Sequence, residues 1–390
     1  MPVQQLALIF LVFLATTIGS VLPVIQPSPS SAIQAASFSR QPLLGDQEST
    51  TASRSRRTLT RDARLAFIRK AQVWKPTDIS SVDLRAGPGG AGAFQPNEMV
   101  MCDYTDVRRY GSTRKFHCRL QDGNIVKVRY GAHNGEVEGS VLATRLLWAL
   151  GFAADRVYPV RVMCRGCSSD PWTNRGSLGK VHEFDPAVIE RKPFGHEMWD
   201  DADNESGWSW SELNLVDPGQ GGAPQAHRDA LKLIAVFMQH TDTKSQQQRL
   251  LCLSDALSGA EECQAPFLLL HDVGLTFGHA NRFNQSSAGS VNLAAWTKTP
   301  VWRDAVACIG HLSKSHTGTL GDPYISEAGR KFLADLLVQL SDRQLRDLFE
   351  VARVDRRADS RGHLSATPVD DWVAVFNHKR DEIVTNRCAR

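Results

Sequence analysis

Residues 240-HTDTKSQQ-247 and 267-FLLLHDVG-274, about 20 residues apart, decide how this chain reads. An apolar run precedes each, and each carries an aspartate in a loop. In the first, Asp242 has His240 two residues before it, Lys244 two after it and Gln247 five after it. In the second, Asp272 closes a strand-like run and is followed by Val273 and Gly274. Two carboxylates on loops beside short strands suit chemistry in which one orients a hydroxyl and the other holds a divalent cation. An aspartate in a turn is common for local reasons alone. The weight therefore rests on the pair, in this order, with Lys244 and Gln247 in place.

Composition leaves function open. The 390 residues are 42% hydrophobic and 22% charged, ordinary for a soluble globular protein. A formal net charge of +3 is too small to point to nucleic acid or a polybasic membrane surface as partner. The N-terminus says more. Residues 6–25, LALIFLVFLATTIGSVLPVI, form an uncharged apolar run, followed by 31-SAIQAAS-37. Residues 1–36 thus read as a secretory signal. The run is also long enough to stay as an uncleaved anchor, and a membrane is an expected partner only in that case. The expected location is extracytoplasmic, secreted or periplasmic.

Eight cysteines, an even number, agree with export. Cys252 and Cys263 would close a short loop between the runs 249-RLLCL-253 and 267-FLLLH-271. Cys102 and Cys118 could tie the first hairpin. The pair in 164-CRGC-167 is open to three readings: a tight disulfide, a redox pair, or half a metal site with no second C-x-x-C to complete it.

Residues 37–61 belong to a Ser-, Thr-, Gln- and Pro-rich stretch ending in 54-RSRRTLTR-61, and read as a disordered linker. Residues 62–74 predict a short amphipathic helix. The segment 115-KFHCRLQDGNIVKVRYG-131 predicts a hairpin turning at Asp122-Gly123. A helix is expected over 137–152, then strands at 157–164 and 187–192. Residues 223–239 predict a helix that runs directly into the Asp242 loop. The C-terminal third predicts three helices, over 326–340, 341–354 and 367–384, the last with Thr367 as N-cap and Pro368 at the first helical position.

Taken in order, these elements resemble the protein-kinase-like superfamily, chiefly its atypical and secreted branches. They also resemble bacterial kinase-like proteins of unassigned function that share a helix like 136-EVEGSVLATRLLWALG-151. The first stretch has the spacing of the catalytic loop H-R-D-L-x-x-x-N, with Gln247 at the asparagine position. Asp272-Val273-Gly274 stands where such proteins carry D-F-G. The resemblance covers roughly residues 100–350. It implies an α+β, two-lobed kinase-like fold with a strand-rich N-lobe (62–193) and a helical C-lobe (194–390). It also implies a nucleotide partner, ATP with Mg2+ or Mn2+, and an acceptor hydroxyl on a protein, sugar or small molecule.

The resemblance assigns roles as follows. Asp242 orients or deprotonates the acceptor, with Lys244 beside it, and Asp272 and Gln247 are the metal ligands. Lys127, in the strand 125-IVKVRY-130, matches the nucleotide lysine, with Glu138 as its partner and Glu136 as the alternate. Gly111, Ser112 and Thr113 stand where a phosphate-covering loop belongs, and the adenine site would follow 188-VIERK-192. The departures are Gln247 for Asn, Val273 for Phe, no G-x-G-x-x-G and no A-P-E. They keep open a catalytically inactive binding or scaffold module and, as a third reading, nucleotidyl transfer. The loop 199-WDDADNESGWSWSEL-213 could bind a sugar or a basic peptide, or could be pinned by buried tryptophans.

Overall fold

The computed structural model describes residues 57–174, 176–177, 179–200, 207–253, 263–279, 289–312, 318–357 and 367–388. The apolar run 6–25, the expected signal segment and nearly all of the expected linker lie outside the described residues. A short strand β1 (Arg57–Leu59) and helix α1 (Arg61–Lys70) lead in. The N-cap of α1 is Thr60, whose hydroxyl accepts from the Ala63 amide.

Alternating apolar residues then build a sheet that closes on itself. Its strands are β2 (Met99–Thr105), β3 (Lys115–Leu120), β4 (Ile125–Tyr130), β5 (Arg156–Arg165) and β6 (Val181–Arg191). They form a barrel in the order β2-β3-β4-β6-β5, closed by parallel pairing of β2 with β5. Its interior is filled by alternate residues of each strand, among them Val100, Phe116, Val126, Val128, Val160 and Ile189. Asp122 and Gly123 turn the β3–β4 hairpin as expected, with the Gly123 amide donating to the Leu120 carbonyl. Helix α2 (Gly135–Ala149) connects β4 to β5; its N-cap Asn134 accepts from the Glu136 amide.

Beyond the barrel, β7 (His196–Asp200), β8 (Gln248–Cys252) and β9 (Pro266–Leu270) pair with β1 in the order β1-β7-β8-β9. Helix α3 (Gln225–Phe237) precedes β8 in the chain. Next come α4 (Leu293–Lys298), the small pair β10 (Trp302–Asp304) and β11 (Ile309–Gly310), and helices α5 (Glu327–Leu337), α6 (Asp342–Val351) and α7 (Val369–Thr385). One apolar core runs from α1 and α2 through α3 to α7. Its buried indoles are satisfied where the chain offers a carbonyl, as Trp296 Nε1 donates to Phe237 O at 2.8 Å. The result is a mixed α+β fold.

Two local expectations change. Helix α7 takes Pro368, not Thr367, as its N-cap, one residue later than the sequence reading, and no side chain caps it. Trp208 and Trp210 are 0% and 2% exposed and pack on each other at 5.3 Å, so they pin the segment rather than present a binding surface. Residues 201–206 of that loop lie outside the described residues.

All eight cysteines pair: Cys102–Cys118, Cys164–Cys167, Cys252–Cys263 and Cys308–Cys388. Four pairs at disulfide distance point toward an oxidising, extracytoplasmic environment. Among the described residues no helix is long and apolar enough to cross a membrane.

Candidate functional site

Strand alternation sets one half of the site. Val126, Val128 and Tyr130 of β4 turn into the barrel, so Lys127 and Arg129 stand together on the opposite face. The register sets Lys127 between His117 of β3 and Glu190 of β6, and Arg129 opposite Lys115. Lys127 Nζ lies 2.8 Å from Glu190 Oε2. Arg129, 1% exposed, reaches three carboxylates. Its Nε donates to Glu136 Oε2 at 2.9 Å, its Nη2 to Asp272 Oδ1 at 2.6 Å, and its Nη1 to Glu190.

The other half comes from the loops after α3 and β9. The amides of His271 and Asp272 donate to the Gln247 carbonyl at 2.8 and 3.3 Å, which ties the two loops together. Gln247 Nε2 donates to Asp242 Oδ2 at 2.7 Å, and Lys244 Nζ lies 3.1 Å from the same oxygen. Asp242, Lys244, Gln247 and Asp272 therefore share one site. Helix α2 is brought against it by two glycines. A β-carbon on Gly139 would stand 2.2 Å from the Gly274 carbonyl oxygen, and one on Gly274 would stand 2.9 Å from Glu136 Cβ. Only bare backbone lets the helix approach closely enough for Glu136 to join the cluster.

Charge coupling follows from burial and proximity. Burial opposes ionisation of Asp272, but Arg129 and Lys127 outweigh it and hold the carboxyl well below the usual carboxylate range. The same contest, against Lys127 and Arg129, leaves Glu190 at about 2. Burial, opposed by Asp272, Glu190 and Glu136, leaves the Arg129 guanidinium firmly charged. His117 is pushed down to about 4 by burial and then by Lys127. His240 is fully buried, and burial outweighs Asp242 and Asp272 to push it down to about 4.

Asp155, Glu190 and His271 offer ligand atoms within 4.8 Å of one another. Cations already serve that group, however. His271 Nδ1 meets the Asp155 carboxylate, Lys192 Nζ lies 3.2 Å from the same nitrogen, and Lys127 and Arg129 hold Glu190. Asp242, Asp272 and the Gln247 amide offer oxygen donors of the kind that Mg2+ or Mn2+ takes, and two of them are likewise engaged by cations, Asp272 by Arg129 and Asp242 by Lys244.

Among the acids on α2, Glu136 and not Glu138 reaches the cluster, and Lys127 pairs with Glu190 rather than Glu138. Residues two apart on a helix point to different faces. Glu138 is 3% exposed and feels Arg357 and Arg353 instead. In the loop between β2 and β3, Gly111 and Ser112 are exposed, while Thr113 is buried and its hydroxyl donates to Glu136 Oε2 at 2.9 Å. Arg129, Glu190 and His271 were missed by the sequence reading. Arg129 had a signal: it lies two residues after Lys127, on the same strand face.

A cleft of about 660 Å3 opens over this face, lined by His117, Lys127, Glu190, Lys192, Phe194 and His271 among others. It includes the segment after 188-VIERK-192. No family model matches the chain, and no curated protein matches it. Among solved structures it has a distant likeness to the crystal structure of a Helicobacter pylori proinflammatory kinase, CtkA. The identity is 10% and the TM-score 0.38, over 75% of this chain and 95% of that one.

Proposed function

We propose that this protein is an extracytoplasmic, two-lobed kinase-like phosphotransferase that moves a phosphoryl group from ATP to a hydroxyl of a protein, sugar or small molecule. The observation that carries the reading is the joining of the Asp242 loop and Asp272 to the Lys127–Arg129 face, through the Gln247 carbonyl and amide on one side and the Arg129 guanidinium on the other. The barrel with one connecting helix, followed by a helical body, supports the two lobes. The four disulfides support export, whether as a cleaved secreted form or an anchored one.

Phosphoryl transfer asks a protein chiefly for positioning and charge stabilisation. Asp272 and Gln247 are the residues that would hold Mg2+ or Mn2+, which when bound supplies positive charge to the phosphates. Asp242, fixed by Gln247 Nε2 and Lys244, would accept the proton of the acceptor hydroxyl. Lys127, with Glu190 as its counter-ion, would line the nucleotide side of the cleft, and Gly111, Ser112 and Thr113 would cover the phosphates. Glu138, buried on the other face of α2, would act on the nucleotide only by seating that helix.

One observation favours a second reading, an inactive kinase-like binding module. Arg129 already occupies Asp272, so the carboxylate meets a guanidinium where a metal would bind. Intact-mass measurement after incubation with ATP and Mg2+ or Mn2+, with and without a generic protein acceptor, separates the readings. A phosphate-sized gain supports the kinase. A nucleotide-sized gain means nucleotidyl transfer, and no gain on any acceptor favours the module.

A further inference from the structure

Strand β3 carries a lysine that the ion-pair network leaves out. Lys115 stands directly across the ladder from Arg129, as His117 does from Lys127, on the face turned away from the barrel interior. It is 8% exposed. Among the described residues no carboxylate comes within 4.0 Å of its ammonium, although Lys127 and Arg129 beside it are both paired. The charges that bear on it are those of the cluster: Arg129, Glu136, Asp272 and Lys127. Trp172 lies under it, 6.0 Å from ring centre to Nζ.

This arrangement is costly. A largely buried ammonium with no carboxylate at salt-bridge distance loses solvation that the more distant Glu136 and Asp272 and the Trp172 ring only partly offset. Like charges directly opposite on adjacent strands repel as well. The neighbouring loop makes room for the ammonium: Gly111 has φ +87°, and a β-carbon there would come within 2.9 Å of Lys115 Nζ. A cation of this kind, beside a glycine turn, is matched to an anion.

We propose that Lys115 is the lysine that grips the polyphosphate of the bound nucleotide, with Gly111 clearing its approach. Lys127, neutralised by Glu190, lines the cleft without that role. The inference rests on the nucleotide reading above and adds the residue that reads the phosphates.

The test uses the full chain and compares adenosine with ATP, each with Mn2+, by thermal shift and calorimetry, on wild type, Lys115→Met and Lys115→Arg. Lys115→Met should melt higher than wild type without ligand, because an unpaired buried charge is gone. It should weaken ATP at least about tenfold, the scale of one charge-assisted hydrogen bond, and leave adenosine unchanged. Lys115→Arg should keep part of the preference for ATP. An unchanged ATP-over-adenosine preference in Lys115→Met, or equal loss of both ligands, overturns the assignment while leaving nucleotide binding intact. A wild type that responds to neither ligand overturns both.

Discussion

Arg129 and Asp272 stand 143 residues apart in the chain, and Arg129 Nη2 donates to Asp272 Oδ1 at 2.6 Å. The contact joins the barrel to the loop after β9, and the same guanidinium holds Glu136 of α2 and Glu190 of β6. One side chain thus fixes the helix, the sheet and the candidate metal carboxylate relative to each other. A bound metal has to share or replace that contact.

Removing Arg129 should therefore be severe. Arg129→Met leaves three largely buried carboxylates with Lys127 as the main remaining counter-ion. Breaking a buried ion network from one side costs about 3–5 kcal/mol. Chemical denaturation should show a loss of that size, whereas Lys127→Met, which removes a salt-bridge partner from Glu190 and a more distant charge from Asp272, should cost clearly less. Equal losses would mean that Arg129 is not the hub.

Glu138 gives a pH dependence of defined sign. Burial pushes its carboxyl up to about 7, with Arg357 and Arg353 acting against the rise. The folded chain keeps this proton where the unfolded chain, near 4.5, has released it. The stabilising contribution is full below about 4.5 and is lost as pH rises through about 7. Glu138→Gln, neutral throughout, should match wild type near pH 4. Near pH 8 it should exceed wild type by about 3 kcal/mol, since each tenfold change in proton affinity is worth ~1.4 kcal/mol. A difference that does not change with pH would place the proton elsewhere.

The disulfides should contribute unequally. Cys308–Cys388 closes a separation of 80 residues and Cys164–Cys167 one of 3. Chain entropy gives ~4.5 kcal/mol for the first and ~2 kcal/mol for the second. Paired Cys→Ser variants should rank in that order by melting temperature, and the reverse order would show that native-state strain dominates.

Local rules carried much of the sequence reading. The alternation in 115-KFHCRL-120 and 125-IVKVRY-130, the Asp122-Gly123 turn and the apolar period of α3 specify their elements by short-range physics, and each formed where expected. The meeting of Asp242, Gln247 and Asp272 was legible from motif order. What failed depends on helix phase and long-range approach. The sequence favours Glu138 over Glu136, but the Gly139–Gly274 contact sets which face of α2 meets the loop, and that face carries Glu136. Glu190 gave no signal, since its role arises from register with Lys127 across two strands. The two readings of Trp208 and Trp210 stay open in the sequence because burial of a loop tryptophan is decided by what packs over it, and the structure takes the buried one.

Metal-dependent nucleotide binding is the central claim, and a melting-temperature titration with ATP plus Mg2+ or Mn2+ on wild type, Asp272→Asn and Asp242→Asn tests it most directly. Wild type should be stabilised only when nucleotide and metal are both present. Asp272→Asn should lose that stabilisation, because its carboxylate would carry the main negative charge toward the cation. Asp242→Asn should keep it and lose at least about a hundredfold in any transfer rate. No stabilisation of wild type at millimolar nucleotide and metal, or an Asp272→Asn protein that responds as wild type does, would contradict the assignment of this cluster as a nucleotide–metal site.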